Sequence, residues 1–257
     1  MNNYLEERFG LKDKIAMVTG AGQGIGEAIS IAYAKAGATV VLCGRTLSKL
    51  EATAKQIREF NGQCDIRRMD ITKEEDILSG FAYVKEKYGK LDILVNNAGI
   101  TIPCNAERLE LKDWSPVIDT NLTGTFLCCR EAGRLMIPQK KGKIINIIST
   151  YAFVGRYLRA AYSASKGGQL QMTKTLAIEW APYNINVNCI APTATVTPMT
   201  ERLTTNPEAM KVMLGKIPMG RLAEPEDMTG AALYLASKAS DFVTGQAIIV
   251  DGGFTAI

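Results

Sequence analysis

The stretch Lys14-Ile15-Ala16-Met17-Val18-Thr19-Gly20-Ala21-Gly22-Gln23-Gly24-Ile25-Gly26 reads as a short strand that runs into a glycine-rich turn and then into a helix. Residues 15–18 are apolar without alternation, the pattern of a strand covered on both faces. Glycines in such a turn let the main chain approach a pyrophosphate. A helix that begins there offers unpaired N–H groups and the positive end of its dipole. Gly20, Gln23, Gly24, Ile25 and Gly26 are therefore candidate dinucleotide contacts. The spacing is T-G-x-x-x-G-x-G, not G-x-G-x-x-G, and a tight strand-to-helix turn without a ligand would read the same way.

Six more short runs rich in Ile and Val follow, at residues 39–43, 64–69, 91–96, 143–149, 184–190 and 247–251. Helix-patterned segments lie between them at 24–35, 47–60, 74–88, 112–137 and 161–181. Strands alternating with helices predict an α/β fold, a single doubly wound domain over residues 1–257 with a seven-stranded parallel sheet and helices on both faces. The segments 112–137 and 161–181 are apolar on more than one face, which predicts packing against another subunit.

Of the 257 residues, 47% are hydrophobic and 22% charged, the balance of an ordinary globular chain. The longest apolar run, 231–236, falls far short of the roughly 18 residues of a membrane span. The N-terminal MNNYLEERFGLKDK has no apolar segment, so a cytoplasmic protein is expected. The 30 basic and 26 acidic residues are scattered, with no stripe for a nucleic acid. Histidine is absent, which removes Ser-His-Asp chemistry and His-ligated zinc. Acid–base work must fall to Tyr, Lys, Cys or a carboxylate. The six cysteines contain no C-x-x-C and read as small buried hydrophobes, so no metal is expected.

The second run ends Leu42-Cys43-Gly44-Arg45-Thr46. No carboxylate stands there to accept a ribose 2′-OH, and Arg45 can fork onto a 2′-phosphate, so NADP(H) is expected over NAD(H). Gln23 brings no second cation from the glycine turn. Further on, Tyr162 and Lys166 lie four apart in Tyr162-Ser163-Ala164-Ser165-Lys166, on one helix face. The ammonium is expected to favour the phenolate and lower a pKa that starts near 10.

In this order, the glycine turn, Asp70, Asn96-Asn97-Ala98-Gly99, Asn121, Ser149, Tyr162-x-x-x-Lys166 and Asp251-Gly252-Gly253 resemble the short-chain dehydrogenase/reductase family over residues 14–253. The resemblance implies a Rossmann-type domain, usually in a homotetramer. It implies Tyr162 as acid/base and Ser149 as hydrogen-bond donor to the substrate oxygen. Lys166 would tune Tyr162 and hold the nicotinamide ribose, and Asn121 would hold a water of the proton relay. Asp70 and Ile71 would flank the adenine, with Asn97, Ala98 and Gly99 beneath. Pro192 and Thr197 would approach the nicotinamide. One departure is Thr193, where the family usually has glycine; a β-branched residue resists positive φ, so the loop is expected to take its own path.

Substrate choice should come from 151–159 and from a lid at 198–218. If Arg156 or Arg159 faces the pocket, a carboxylate or polyhydroxylated substrate is favoured; outward-facing arginines read equally well. The chain is most similar to sugar-acid and polyol dehydrogenases of the gluconate 5-dehydrogenase type. A 3-oxoacyl thioester (acyl carrier protein) reductase and a dinucleotide-binding sensor without turnover stand as alternatives.

Overall fold

All strands of the sheet run in one direction. The computed structural model describes residues 4–256. Its strands are β1 (Ile15–Thr19), β2 (Thr39–Gly44), β3 (Gln63–Arg68), β4 (Ile93–Asn96), β5 (Gly142–Ile147), β6 (Ile185–Pro192) and β7 (Ala247–Val250). They stand in the order β3-β2-β1-β4-β5-β6-β7, the doubly wound architecture expected from the sequence. The helices are α1 (Tyr4–Phe9), α2 (Gly24–Lys35), α3 (Leu47–Glu59), α4 (Glu74–Tyr88), α5 (Leu111–Ile118), α6 (Thr125–Gln139), α7 (Ala160–Trp180), α8 (Glu201–Thr204), α9 (Pro207–Leu214) and α10 (Thr229–Ala236).

Both faces of the central strands are buried, which is why their sequences do not alternate. Ala16 and Val18 of β1 face α2, α3 and α10 through Ile29, Tyr33, Leu50, Ala54 and Leu235. Met17 between them faces α4, α6 and α7, among Ile77, Phe81, Cys129, Met136 and Leu176. Strand geometry turns successive side chains to opposite sides, so each must be apolar. β3, at the sheet edge, departs from this pattern: its side chains are half-buried or exposed.

The segment expected as one helix at 112–137 is divided. Between α5 and α6, Asp119–Gly124 widens into a π-helical turn, with Asn121 inside it. Such widened turns recur at functional sites because they turn a side chain out of the regular helical register. Asn121 uses that freedom: its Oδ1 accepts from Ile100 N at 2.8 Å, and its Nδ2 donates to Ile100 O at 3.0 Å and to Ser165 Oγ at 3.0 Å.

The turn after β1 is latched to the turn after β4. Thr19 Oγ1 accepts from Asn97 N and Ala98 N, while Asn97 Nδ2 donates to the carbonyls of Thr19 and Gly20. Gly26, in the first turn of α2, lies so close to Gly20 O and Asn97 Nδ2 that a Cβ has no room. β1 and β4 are the strands between which the order of winding reverses, so the crevice of the sheet opens directly over this latch.

Candidate active site

A cleft of about 850 Å³ lies along the C-terminal ends of the strands. On the β2 side it is lined by Gly20, Gln23, Gly24 and Ile25, then Arg45, Asp70 and Ile71. Asn97, Ala98 and Gly99 form its middle. Tyr162, Lys166, Pro192 and Thr197 close the other side. Three candidates stand behind the lining. Gly26 is a packing residue, and Asn121 and Ser149 are buried against the residues that do line it.

The β2 side fits an extended phosphate-bearing ligand. Gln23 precedes α2 as its N-cap and its side chain makes no capping bond, so the first N–H groups of a twelve-residue helix remain available at the cleft. Gly24 has φ 57°, and a Cβ there would sit 2.9 Å from Thr197 Cγ2. The backbone conformation and the space both require glycine. Arg45 lies at the tip of β2, as expected. The sequence found no second cation, but the fold supplies one. Lys49, in the first turn of α3, lines the same end of the cleft and its Nζ bonds Gln23 Oε1. In sequence it was one charge on an amphipathic face; only the packing of α3 on the glycine turn distinguishes it. Asp70 is fastened by Thr72, whose N–H and Oγ1 donate at 3.0 and 2.8 Å. Burial works against its carboxylate, yet these bonds, with Arg45 and Lys73 nearby, hold its pKa below the ordinary value.

The other side holds the acid–base groups. α7 carries Tyr162 and Lys166 one turn apart, as the sequence indicates. Their electrostatics differ from the expectation. Lys166 Nζ donates to Ile147 O at 2.7 Å and lies 5.7 Å from the Tyr162 ring centroid. Burial pushes its pKa down to about 7. Burial likewise pushes the Tyr162 phenol up to about 12, against a hydrogen bond with Ser149 that pulls it down. The ammonium was expected to dominate; loss of water around both groups dominates instead. The phenol is thus protonated at neutral pH, and the amine beside it can gain or lose a proton there.

Several contacts fix this geometry. Ser149 Oγ accepts from Tyr151 N at 3.2 Å and starts the short turn Thr150–Ala152. Tyr151, which sequence patterning did not single out from its segment, meets the Tyr162 ring edge-on at 6.3 Å and the Phe254 ring at the same distance. Gly99 leaves space that a Cβ would take from Asn121 Oδ1 at 3.2 Å and Lys166 Nζ at 3.8 Å. Thr193 does not force the loop into a strained path. It is absent from the positive-φ residues, and its N–H reaches Val250 O at 3.4 Å. Arg156 and Arg159 both face the cleft.

The sequence matches the family model described as enoyl-(acyl carrier protein) reductase over residues 20–255. It is 40% identical over 244 residues to the 3-oxoacyl-[acyl-carrier-protein] reductase FabG of Thermotoga maritima, covering 95% of this chain and 98% of that protein. It is also 40% identical over 255 residues to the oxidoreductase YgcW of Escherichia coli, covering 99% and 97%. Among solved structures, a gluconate 5-dehydrogenase from Burkholderia cenocepacia in complex with NADP and tartrate superposes with a TM-score of 0.94 at 34% identity, covering 98% of this chain and 99% of that one.

The buried amine has a measurable consequence. Its pKa falls from the ordinary 10.5 to about 7 on folding, so between these values the unfolded chain binds more protons. The penalty on folding is full below about pH 7 and gone above 10.5. Lys166→Met is expected to melt above the parent protein at pH 7, with the gap shrinking steadily as pH rises toward 10.5. Thermal unfolding of both proteins across that range checks it.

Proposed function

This chain belongs to the short-chain dehydrogenase/reductase family, and from that membership and its cleft we propose an NADP(H)-dependent oxidoreductase that interconverts a carbonyl and a secondary alcohol. The observation that carries the reading is the cleft itself, which brings Tyr162 and Lys166 to one side and an uncapped helix N-terminus to the other. A bound nicotinamide supplies hydride to, or accepts it from, the substrate carbon.

The chain's own residues do the rest. In the reductive direction the Tyr162 hydroxyl gives its proton to the substrate oxygen, and Ser149 donates a hydrogen bond to the same atom. Lys166 holds the nicotinamide ribose and returns a proton to the phenolate, a task suited to an amine that titrates near neutrality. Asn121 keeps a relay water through its main chain, since both its amide hydrogens are engaged. Gly20, Gln23, Gly24 and Ile25 would hold the pyrophosphate, and Arg45 with Lys49 the 2′-phosphate. Asp70, Ile71, Asn97, Ala98 and Gly99 would hold the adenosine side, and Pro192 and Thr197 the nicotinamide.

We assign the whole chain to one coenzyme-binding and catalytic domain, with residues 198–218 as its substrate lid. Leu203, Met213 and Ile217 of this segment pack against Leu222 and Phe254 in a small apolar cluster. The substrate class we favour is a keto-sugar acid or polyol. A 3-oxoacyl thioester is the second reading, favoured by the similarity to the Thermotoga protein. The complete set of Ser149, Tyr162 and Lys166 argues against a sensor without turnover. No helix among the described residues is long and apolar enough to cross a membrane. We place the protein in the cytoplasm, consistent with its six unpaired cysteines. We also propose a homotetramer, supported by exposed apolar side chains on the long helices α6 and α7, among them Phe126 at 43% and Ile178 at 76%. Light scattering should give four chains per particle.

Three further experiments test this reading. Tyr162→Phe should lower kcat by about 100-fold to 10,000-fold while leaving NADPH binding, read by coenzyme fluorescence, unchanged. In the parent enzyme, alcohol oxidation should rise with pH from 7 to 10, because it needs the phenolate, while carbonyl reduction should not rise. Arg45→Ala and Lys49→Ala should each weaken NADPH binding by about tenfold, about 1.4 kcal/mol. Neither should alter NADH binding in the same titration.

A further inference from the structure

We propose that Arg156 and Arg159 form a subsite for a carboxylate on the substrate, and so select hydroxy and keto acids over neutral polyols and ketoses. The proposal rests on the reductase reading above and adds to it the residues that choose the substrate.

Both guanidiniums line the cleft that holds Tyr162, and both are half-buried. Among the described residues neither pairs with a carboxylate. A guanidinium carries five N–H donors. Arg159 uses one of them, Nη1 to Leu158 O at 3.3 Å, and among the described residues the Arg156 side chain has no hydrogen-bond partner. Burial, together with Arg156 nearby, holds the Arg159 pKa below its ordinary value, while Tyr151 and Tyr162 work the other way. Two half-buried cations near each other, neither paired with a carboxylate, repel one another in the free protein. A bidentate anion between them removes that penalty, and a planar carboxylate matches the fork of a guanidinium.

The placement is built into the backbone. Leu158, just before Arg159, holds φ 63°, a left-handed conformation that a leucine rarely adopts. Cys104 N donates to Leu158 O at 3.2 Å, and Cys104 bridges Arg159 in parallel β fashion, which locks the loop in this form. The strained residue thus sets Arg159 at the N-cap of α7, three residues before Tyr162.

This pair is separate from the phosphate end. Arg45 and Lys49 follow β2, whereas Arg156 and Arg159 follow β5, three strand spacings away in the sheet order, or roughly 14 Å. Glu201 of α8 also lines the cleft and pairs with neither arginine.

The test compares D-gluconate with D-sorbitol, which differ in a carboxylate against a hydroxymethyl group. Oxidation is followed with NADP⁺, and binding is followed by calorimetry on the NADP⁺-loaded protein. The parent enzyme should prefer gluconate by at least 100-fold in kcat/KM. Arg156→Ala and Arg159→Ala should each raise KM for gluconate at least tenfold with kcat within threefold, and leave sorbitol kinetics and NADPH binding unchanged. Arg159→Lys should recover part of the loss. Tyr162→Phe should still bind gluconate with a Kd within threefold of the parent. Turnover of both sugars without preference, equal damage to both by the arginine variants, or turnover confined to acetoacetyl-CoA would overturn the subsite. So would variants that lose assembly in light scattering while their gluconate KM stays unchanged. Gluconate binding that depends on the arginines, with no turnover of either sugar, would keep the subsite and remove the reductase reading.

Discussion

The pairing of β1 with β4, residues 16–18 beside 93–95, is the contact on which the rest of the molecule depends. β1 has β2 on its other side, so the chain winds outward in one direction to β3, then crosses back and winds outward in the other. Because every strand is parallel, all the turns that follow β1, β2, β4, β5 and β6 emerge along one edge. The helices must leave in opposite directions at the reversal, and the gap between them becomes the cleft. The latch of Thr19 and Asn97 closes the floor of that gap with hydrogen bonds rather than side-chain bulk. A floor of main chain and small residues is what a flat ligand needs beneath it.

Around the Tyr162 phenol, position is set by buried amides that do not line the cleft. The π-helical turn puts Asn121 where its amide grips both polar atoms of Ile100 and the hydroxyl of Ser165, and Ser165 in turn donates to Tyr162 O at 2.7 Å. The loop after β4, the widened helical turn and α7 are thereby one hydrogen-bonded unit. Below it, Asn96 and Asn146 join β4 to β5, and Asn146 donates to Thr173 of α7 at 2.8 Å. Buried amides of this kind are tolerated only when their partners are well placed. They fix the register of α7 against the sheet, and through it the position of Tyr162.

What the sequence disclosed and what it did not follows from the range of the interactions. The glycine turn, the strands and the Tyr162–Lys166 spacing are local patterns, and local geometry reproduces them. Asn121 was recognised, but the widened turn around it was not, because apolar periodicity on both sides looks like one uninterrupted helix. Lys49 was hidden for a different reason: α3 is amphipathic, and one lysine on its polar face has no distinguishing mark until α3 lies on Gln23. The electrostatics of Tyr162 and Lys166 were misjudged in sign because spacing shows proximity and says nothing about lost water. Thr193 posed no obstacle, since the backbone there stays out of the left-handed region where a β-branched side chain is penalised.

The free protein carries electrostatic strain in its cleft. Lys166 is buried with a carbonyl as its hydrogen-bond acceptor, and the half-buried Arg159 has Arg156 beside it without a carboxylate. Such arrangements lower folding stability, because a charge removed from water without compensation is expensive. On the proposed function, the same groups are stabilised when an anion or a reacting oxygen arrives. Binding that relieves strain also raises the stability of the bound form, by RT ln(1 + [L]/Kd) for ligand at concentration [L]. On that reading the cleft couples occupancy to stability: the protein should be firmest when both its phosphate end and its substrate end are filled.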